Sequence, residues 1–230
     1  MRIRTIATGL AVAASLAISG CSSGTPADAA SPLGKPSGQT KPGTPASSTP
    51  LSASALAGRL LTEADLGQDY TRKPEKAARH DDTTVIGCPE LEQLGGDAAA
   101  GGSLDFPNKA TATFLYSGST GSEISEELYS DTAPKLTAGT KRIFDAMTGC
   151  PVYQLVIGSK PVKIATQKLA APALGDGAWS QLLTFTADGQ DSIVKQTAVR
   201  TGTILLVVSG SPALVDSHVE KALAKASTGR

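Results

Sequence analysis

The chain has 230 residues, with 21 Lys and Arg against 21 Asp and Glu, so its formal net charge is zero, and 4% of it is aromatic. That balance supplies no basic surplus with which to hold nucleic acid or anionic lipid through counterion release. With a single tryptophan and 40% apolar residues, the core must be built mainly from Leu, Val, Ile and Ala.

Residues 1–20 fall into three parts: Arg2 and Arg4, a mostly apolar run of about 13 residues from Ile6 to Ile18, and the small pair Ser19-Gly20. That order is the order of a secretory signal. The apolar run is well short of the ~20 residues that a membrane-spanning helix needs. Ile18-Ser19-Gly20-Cys21 resembles the bacterial lipobox. The resemblance implies that the Cys21 thiol is acylated and that Cys21 becomes the first residue of the mature chain. Each buried CH2 of an acyl chain contributes roughly 0.8 kcal/mol, so two or three chains anchor a domain firmly. Cleavage before Cys21 takes two arginines and no acid, leaving a formal charge of about −2.

From Ser22 to about Ser52 the chain is Ser, Gly, Pro, Thr and Ala with a few Lys, and it lacks apolar periodicity. Such a composition cannot bury enough surface to order itself. A flexible coil of ~30 residues spans roughly 30 Å. The expected layout is therefore a signal peptide over 1–20, an anchored cysteine and tether over 21–52, and one extracytoplasmic domain over 53–230. Cys88 and Cys150 are the remaining thiols, each in a Gly-Cys-Pro phrase. In an oxidising compartment they are expected to pair. Closing a loop of about 62 residues contributes ~4 kcal/mol at most in the chain-entropy account.

Within the domain, ASALAGRLLTEADL (53–66) carries leucines near helical spacing, with Thr62, Glu63 and Asp65 placed to cap a second short turn and Gly67 to end it. QDYTRKP reads as a first strand and PELEQL, after Cys88, as one or two helical turns begun by Pro89. GGDAAAGG (95–102) reads as a loop. ATATFLYS (110–117) alternates, with Phe114 and Tyr116 on one face, and SEISEELYS follows as its hairpin partner with less clean alternation at Ile124, Glu126 and Leu128. A helix runs from Asp131 or Thr132 to Gly149, with Leu136, Ile143, Phe144 and Met147 along one side. PVKIATQKL, GAWSQLLTFTA, IVKQTAVR and TILLVVSG read as strands, with turns at Asp188-Gly189 and Thr201-Gly202. SPALVDSHVEKALAKA closes as an amphipathic helix capped by Ser211 and started by Pro212. Connections this short favour antiparallel pairing. The expected fold class is α+β: a single, mainly antiparallel β-sheet with helices packed on one face.

Few residues carry chemistry. Ser192-Ile193-Val194-Lys195 matches a Ser-x-x-Lys spacing, but it lies in a strand pattern, where residues three apart point to opposite faces. GSTGS (118–122) has the wrong spacing for a nucleophile elbow. His80 with Asp81 and Asp82 reads as a solvated loop, not a zinc set, and His218 as a boundary residue of the last helix. In Leu174-Gly175-Asp176-Gly177-Ala178-Trp179 two glycines around an aspartate make a tight turn into a strand. A sharper reading makes Trp179 a wall of a ligand groove, since its large apolar surface ends in one donor. Trp179, Tyr116 and Asp176 form the candidate ligand-contact set.

Taken together, LLTEADLGQDY, GCPELEQL, a helix ending in GC, and ALGDGAW before a strand–strand–helix close resemble the PknH-like extracellular sensor domain of actinobacterial kinases and lipoproteins. The resemblance covers roughly residues 54–227. It is carried by Leu60, Leu61, Ala64, Asp65, Leu66, Gly67, Tyr70, Cys88, Cys150, Leu174, Gly175, Asp176 and Ala178. It implies an α+β domain with a small-molecule cleft and no catalysis. The kinase-attached form is similar but has two disulfides, whereas this chain has thiols for one. The expectation is a lipid-anchored, non-catalytic, sensor-like lipoprotein on the extracytoplasmic face of the cell membrane. It needs neither cofactor nor metal, and its partners are the membrane, through acyl chains, and a small-molecule, lipid or protein ligand. The alternatives are a lipid or glycolipid carrier with a closed apolar cavity, and an envelope hydrolase using His80 or His218.

Overall fold

The computed structural model describes residues 49–75, 83–96, 106–119 and 121–228. The signal peptide over 1–20, Cys21 and the tether as far as residue 48, the His80-Asp81-Asp82 cluster and residues 97–102 of the expected loop lie outside the described residues. In chain order the elements are α1 (Ala53–Ala57), α2 (Glu63–Leu66), β1 (Tyr70–Arg72), β2 (Thr83–Ile86), α3 (Pro89–Glu92), β3 (Asn108–Tyr116) and β4 (Glu123–Ser130). After them come α4 (Ala133–Gly149), β5 (Val152–Ile157), β6 (Lys160–Lys168), β7 (Gly177–Ala187), β8 (Gln190–Thr201), β9 (Ile204–Gly210) and α5 (Pro212–Thr228).

All nine strands form one sheet in the order β1-β3-β4-β9-β8-β7-β6-β5-β2, and every neighbouring pair is antiparallel. Local turn chemistry sets much of this register. Asp188 and Gly189 both take positive φ, 50° and 74°, and pair Ala187 with Gln190 through the two-residue turn that suits strand twist. The expected 53–66 helix is two short helices instead. Gly58 caps the first, Leu60 and Leu61 are buried between them, and Thr62 with Asp65 forms a capping box on the second. β2 and β5 were not anticipated as strands.

The α+β class and the single antiparallel sheet agree with the sequence; the placement of the helices does not, because they cover both faces. Val215, Val219, Ala222 and Ala226 of α5, with Leu56, Leu60 and Leu61, pack on Phe114, Ile124, Leu128, Leu206 and Val208. On the opposite face Leu136 and Phe144 of α4 pack on Tyr129, Ala198, Leu205 and Val207. Farther along that face Ala146 and Met147 meet Leu91, Tyr153, Leu155, Ile164 and Leu183 around the disulfide. The reason is in β9, whose ILLVV run is apolar at every position. A strand with both sides apolar must be covered on both sides, and Leu205 and Leu206 are both fully buried, facing opposite ways.

Candidate functional site

A groove opens where the C-terminal half of α4 passes over the start of β7. Phe144, Asp145 and Thr148 form one wall, Lys168 at the end of β6 and the Leu169–Ala171 segment that follows form the other, and Trp179 lies in the floor. Its volume is about 390 Å³, at the small end of the ~300–1,000 Å³ typical of small-molecule sites. β7 alternation turns Trp179 toward α4, where its ring sits 6.5 Å from Phe144 at a 38° tilt. The lining therefore mixes the Trp179 and Phe144 rings and aliphatic groups with the hydroxyls of Thr148 and Ser180. Charge is confined to the rim: Lys168 is exposed, and Asp145 forms an i,i+4 ion pair with Lys141.

A second concavity of about 340 Å³ lies on the other flank of α4, between it and α3, and is lined by Glu90, Gln93, Leu94, Arg142, Asp145 and Gly149. It adjoins the Cys88–Cys150 disulfide, whose Cα atoms are 5.7 Å apart. A Glu90 carboxylate oxygen lies 3.5 Å from the Cys150 sulfur; a disulfide sulfur has no proton to donate, so this is a packing contact. Cys88, Cys150 and Glu90 place ligand-type atoms within 4.8 Å of one another, but both sulfurs are spent on the bond between them.

The three residues singled out for ligand contact are not brought together. Asp176 accepts from Arg200 Nη1 at 3.0 Å and from the Gly202 backbone N–H at 2.7 Å, clamping the entry to β7 onto the β8–β9 turn. Tyr116 lies on the opposite face from Trp179, its ring 4.9 Å from Tyr70. The Tyr70 hydroxyl in turn meets His218 Nε2 at 2.7 Å. Burial, with Lys221 adding to it, lowers the His218 pKa. Lys195 of the Ser-x-x-Lys run forms an ion pair with Asp216, and Ser192 sits across from Phe185 in the sheet.

One residue of note was passed over in the sequence. Glu126 is 1% exposed. Its Oε2 accepts from the Leu61 N–H at 2.7 Å, while Oε1 has no partner among the described residues. Burial pushes its carboxyl up to about 7, against the opposing pull of that hydrogen bond and of Lys225. The signal was the Ile124-Glu126-Leu128 alternation, which places the glutamate on the inward side.

No family model matches the sequence, and no curated protein matches it. Among solved structures, the extracellular domain of PknH from Mycobacterium tuberculosis superposes with a TM-score of 0.56 at 13% identity, over 78% of this chain and 98% of that one. A putative uncharacterized protein (Rv0999 ortholog) from Mycobacterium smegmatis is similar at a TM-score of 0.39 and 10% identity, over 76% of this chain and 94% of that one. No described helix is long and apolar enough to cross a membrane. The single antiparallel sheet, its helices and the superposition on nearly the whole of the PknH extracellular domain give this chain a PknH-like sensor-domain fold.

Proposed function

We propose that the chain is a sensor-like, non-catalytic binding domain held at the extracytoplasmic face of the membrane by acyl chains on Cys21, and that its ligand occupies the Trp179 groove. The observation that carries this reading is the groove itself: Trp179 and Phe144 with Leu169 and alanines beside the polar Thr148 and Ser180, and charge at Asp145 and Lys168. Such a site suits a small amphiphilic fragment of the cell envelope, such as a sugar ring with a short peptide, whose apolar face stacks on the indole and whose charged end meets Lys168 or Asp145. The lipobox resemblance and the fold shared with an extracellular domain support the location. The Cys88–Cys150 disulfide fits an oxidising compartment.

Titration calorimetry with a muropeptide mixture released from peptidoglycan tests the reading. Saturable binding by the parent that Trp179→Ala weakens at least about tenfold supports it. Binding unchanged in Trp179→Ala, or none up to millimolar probe, contradicts it. Hydrolysis of ester or peptide substrates that His218→Ala abolishes would contradict the non-catalytic part.

A further inference from the structure

The segment Leu51–Gly67 runs along β4 as a strap. The Leu51 N–H donates to Ser130 Oγ at 2.8 Å near one end, and the Leu61 N–H donates to Glu126 Oε2 at 2.7 Å farther on. Along this stretch Leu56, Leu60 and Leu61 cover Phe114, Ile124 and Leu128. We propose that Glu126 is a proton-controlled latch: protonated, it lets the strap lie closed on the sheet, and ionised, it drives the strap to lift.

The geometry carries this. Glu126 is 1% exposed and its Oε1 has no partner among the described residues. Its neighbours across the ladder, Ala112 on β3 and Val208 on β9, bring neither charge nor hydrogen bond. The cations nearby are committed elsewhere. Lys225 pairs with Asp65 and Lys221 bonds the Asp65 carbonyl. Arg72 reaches Glu75 and the Thr111 carbonyl, and Arg59 holds the Ala226 carbonyl. Glu63 accepts from the Arg72 N–H, and His218 meets Tyr70. A carboxylate with one bare oxygen in this setting is costly, whereas the neutral acid is tolerated. Lifting the strap admits water to the charge and uncovers the apolar side chains beneath, so opening is favoured as pH rises.

His218 works with the opposite sign. Its lowered pKa makes protonation, and hence acidification, the destabilising event, so the two groups are separable by direction alone.

Hydrogen–deuterium exchange of the full chain at about pH 5.5 and about pH 8.5, corrected for the intrinsic rate at each pH, reads the latch. Peptides covering 55–66 are expected to lose protection about tenfold or more at the higher pH, while β7–β9 peptides hold theirs. Glu126→Gln is expected to abolish the difference and His218→Gln to leave it. Equal protection of the parent strap at both values, or a difference that survives in Glu126→Gln, overturns the proposal. Should Glu126→Gln not fold, the carboxyl-carbon NMR titration of the parent decides. A midpoint near neutrality supports the latch, and one in the ordinary glutamate range overturns it.

Discussion

Glu126, beneath the strap, and Asp65, within it, impose opposite slopes on stability in different pH windows. The Glu126 carboxyl sits at about 7 in the folded chain against 4.5 for a free glutamate, so between these values the folded chain keeps a proton that the unfolded chain has released. Its contribution is fully present below about pH 4.5, is lost as pH rises toward 7, and levels off beyond, a change of about 3 kcal/mol at most. Asp65 runs the other way. Partial burial opposes its ionisation, but hydrogen bonds from Lys225 and Thr62 hold it at about 2, so its contribution is present above about pH 4 and lost as pH falls toward 2. Urea denaturation across pH is expected to show stability declining from about pH 5 to 7 in the parent, and in Glu126→Gln to lose that decline and keep only the opposite, rising contribution of His218; a decline that persists in the variant contradicts this assignment. Gly175 is the other residue-scale test. Its φ is +60°, and an added Cβ would lie 2.4 Å from the Arg200 carbonyl oxygen. Gly175→Ala is expected to cost about 1–3 kcal/mol, read by the same denaturation.

Among the elements, those with a local signature were legible and those defined by distant pairing were not. The Asp188-Gly189 turn announced the β7–β8 hairpin, Thr62 and Asp65 announced their capping box, and α4 ended at Gly149 as its sequence implied. β2 is four residues long and exists because β5 offers it an edge, a partner that no local pattern reveals. β5 itself has an inward Tyr153 and Leu155 in VYQLVI, but the apolar Val152 and Ile157 are exposed on it and blur the alternation. The disulfide ties these late elements together, joining the start of α3 to the end of α4. Replacing both cysteines with serine is expected to cost up to ~4 kcal/mol, and to loosen β2, α3 and the last turn of α4 before the rest of the sheet. A loss under about 1 kcal/mol would mean that packing around Leu91, Met147 and Tyr153 already holds this corner.

At the scale of the molecule, sheet class and strand direction followed from short connections, but the number of covered faces did not. Each helix shows one apolar side, and nothing in that pattern says which face of a sheet it meets. The uniformly apolar β9 held the answer. The candidate site was legible to the same degree. Trp179 was picked out as the lone tryptophan beside a tight turn and does line a groove. Its partners Phe144, Thr148 and Lys168 come from elements that only the tertiary fold brings near, and Asp176 and Tyr116 are engaged elsewhere. Anchoring is tested in cells. A Cys21→Ser chain is expected to lose incorporation of an alkyne-labelled fatty acid and to leave the membrane fraction; retention of both would remove the anchor from the account.

The binding claim is tested most directly by following the one indole N–H resonance of the chain, that of Trp179, while the muropeptide mixture is added to isotopically labelled protein. Saturable shifts of that resonance together with the amides of 144–148 and 168–171, with the Tyr70–Tyr116–His218 face unmoved, are the expected result. An indole resonance that stays still at saturating probe, or shifts confined to the opposite face, would contradict it.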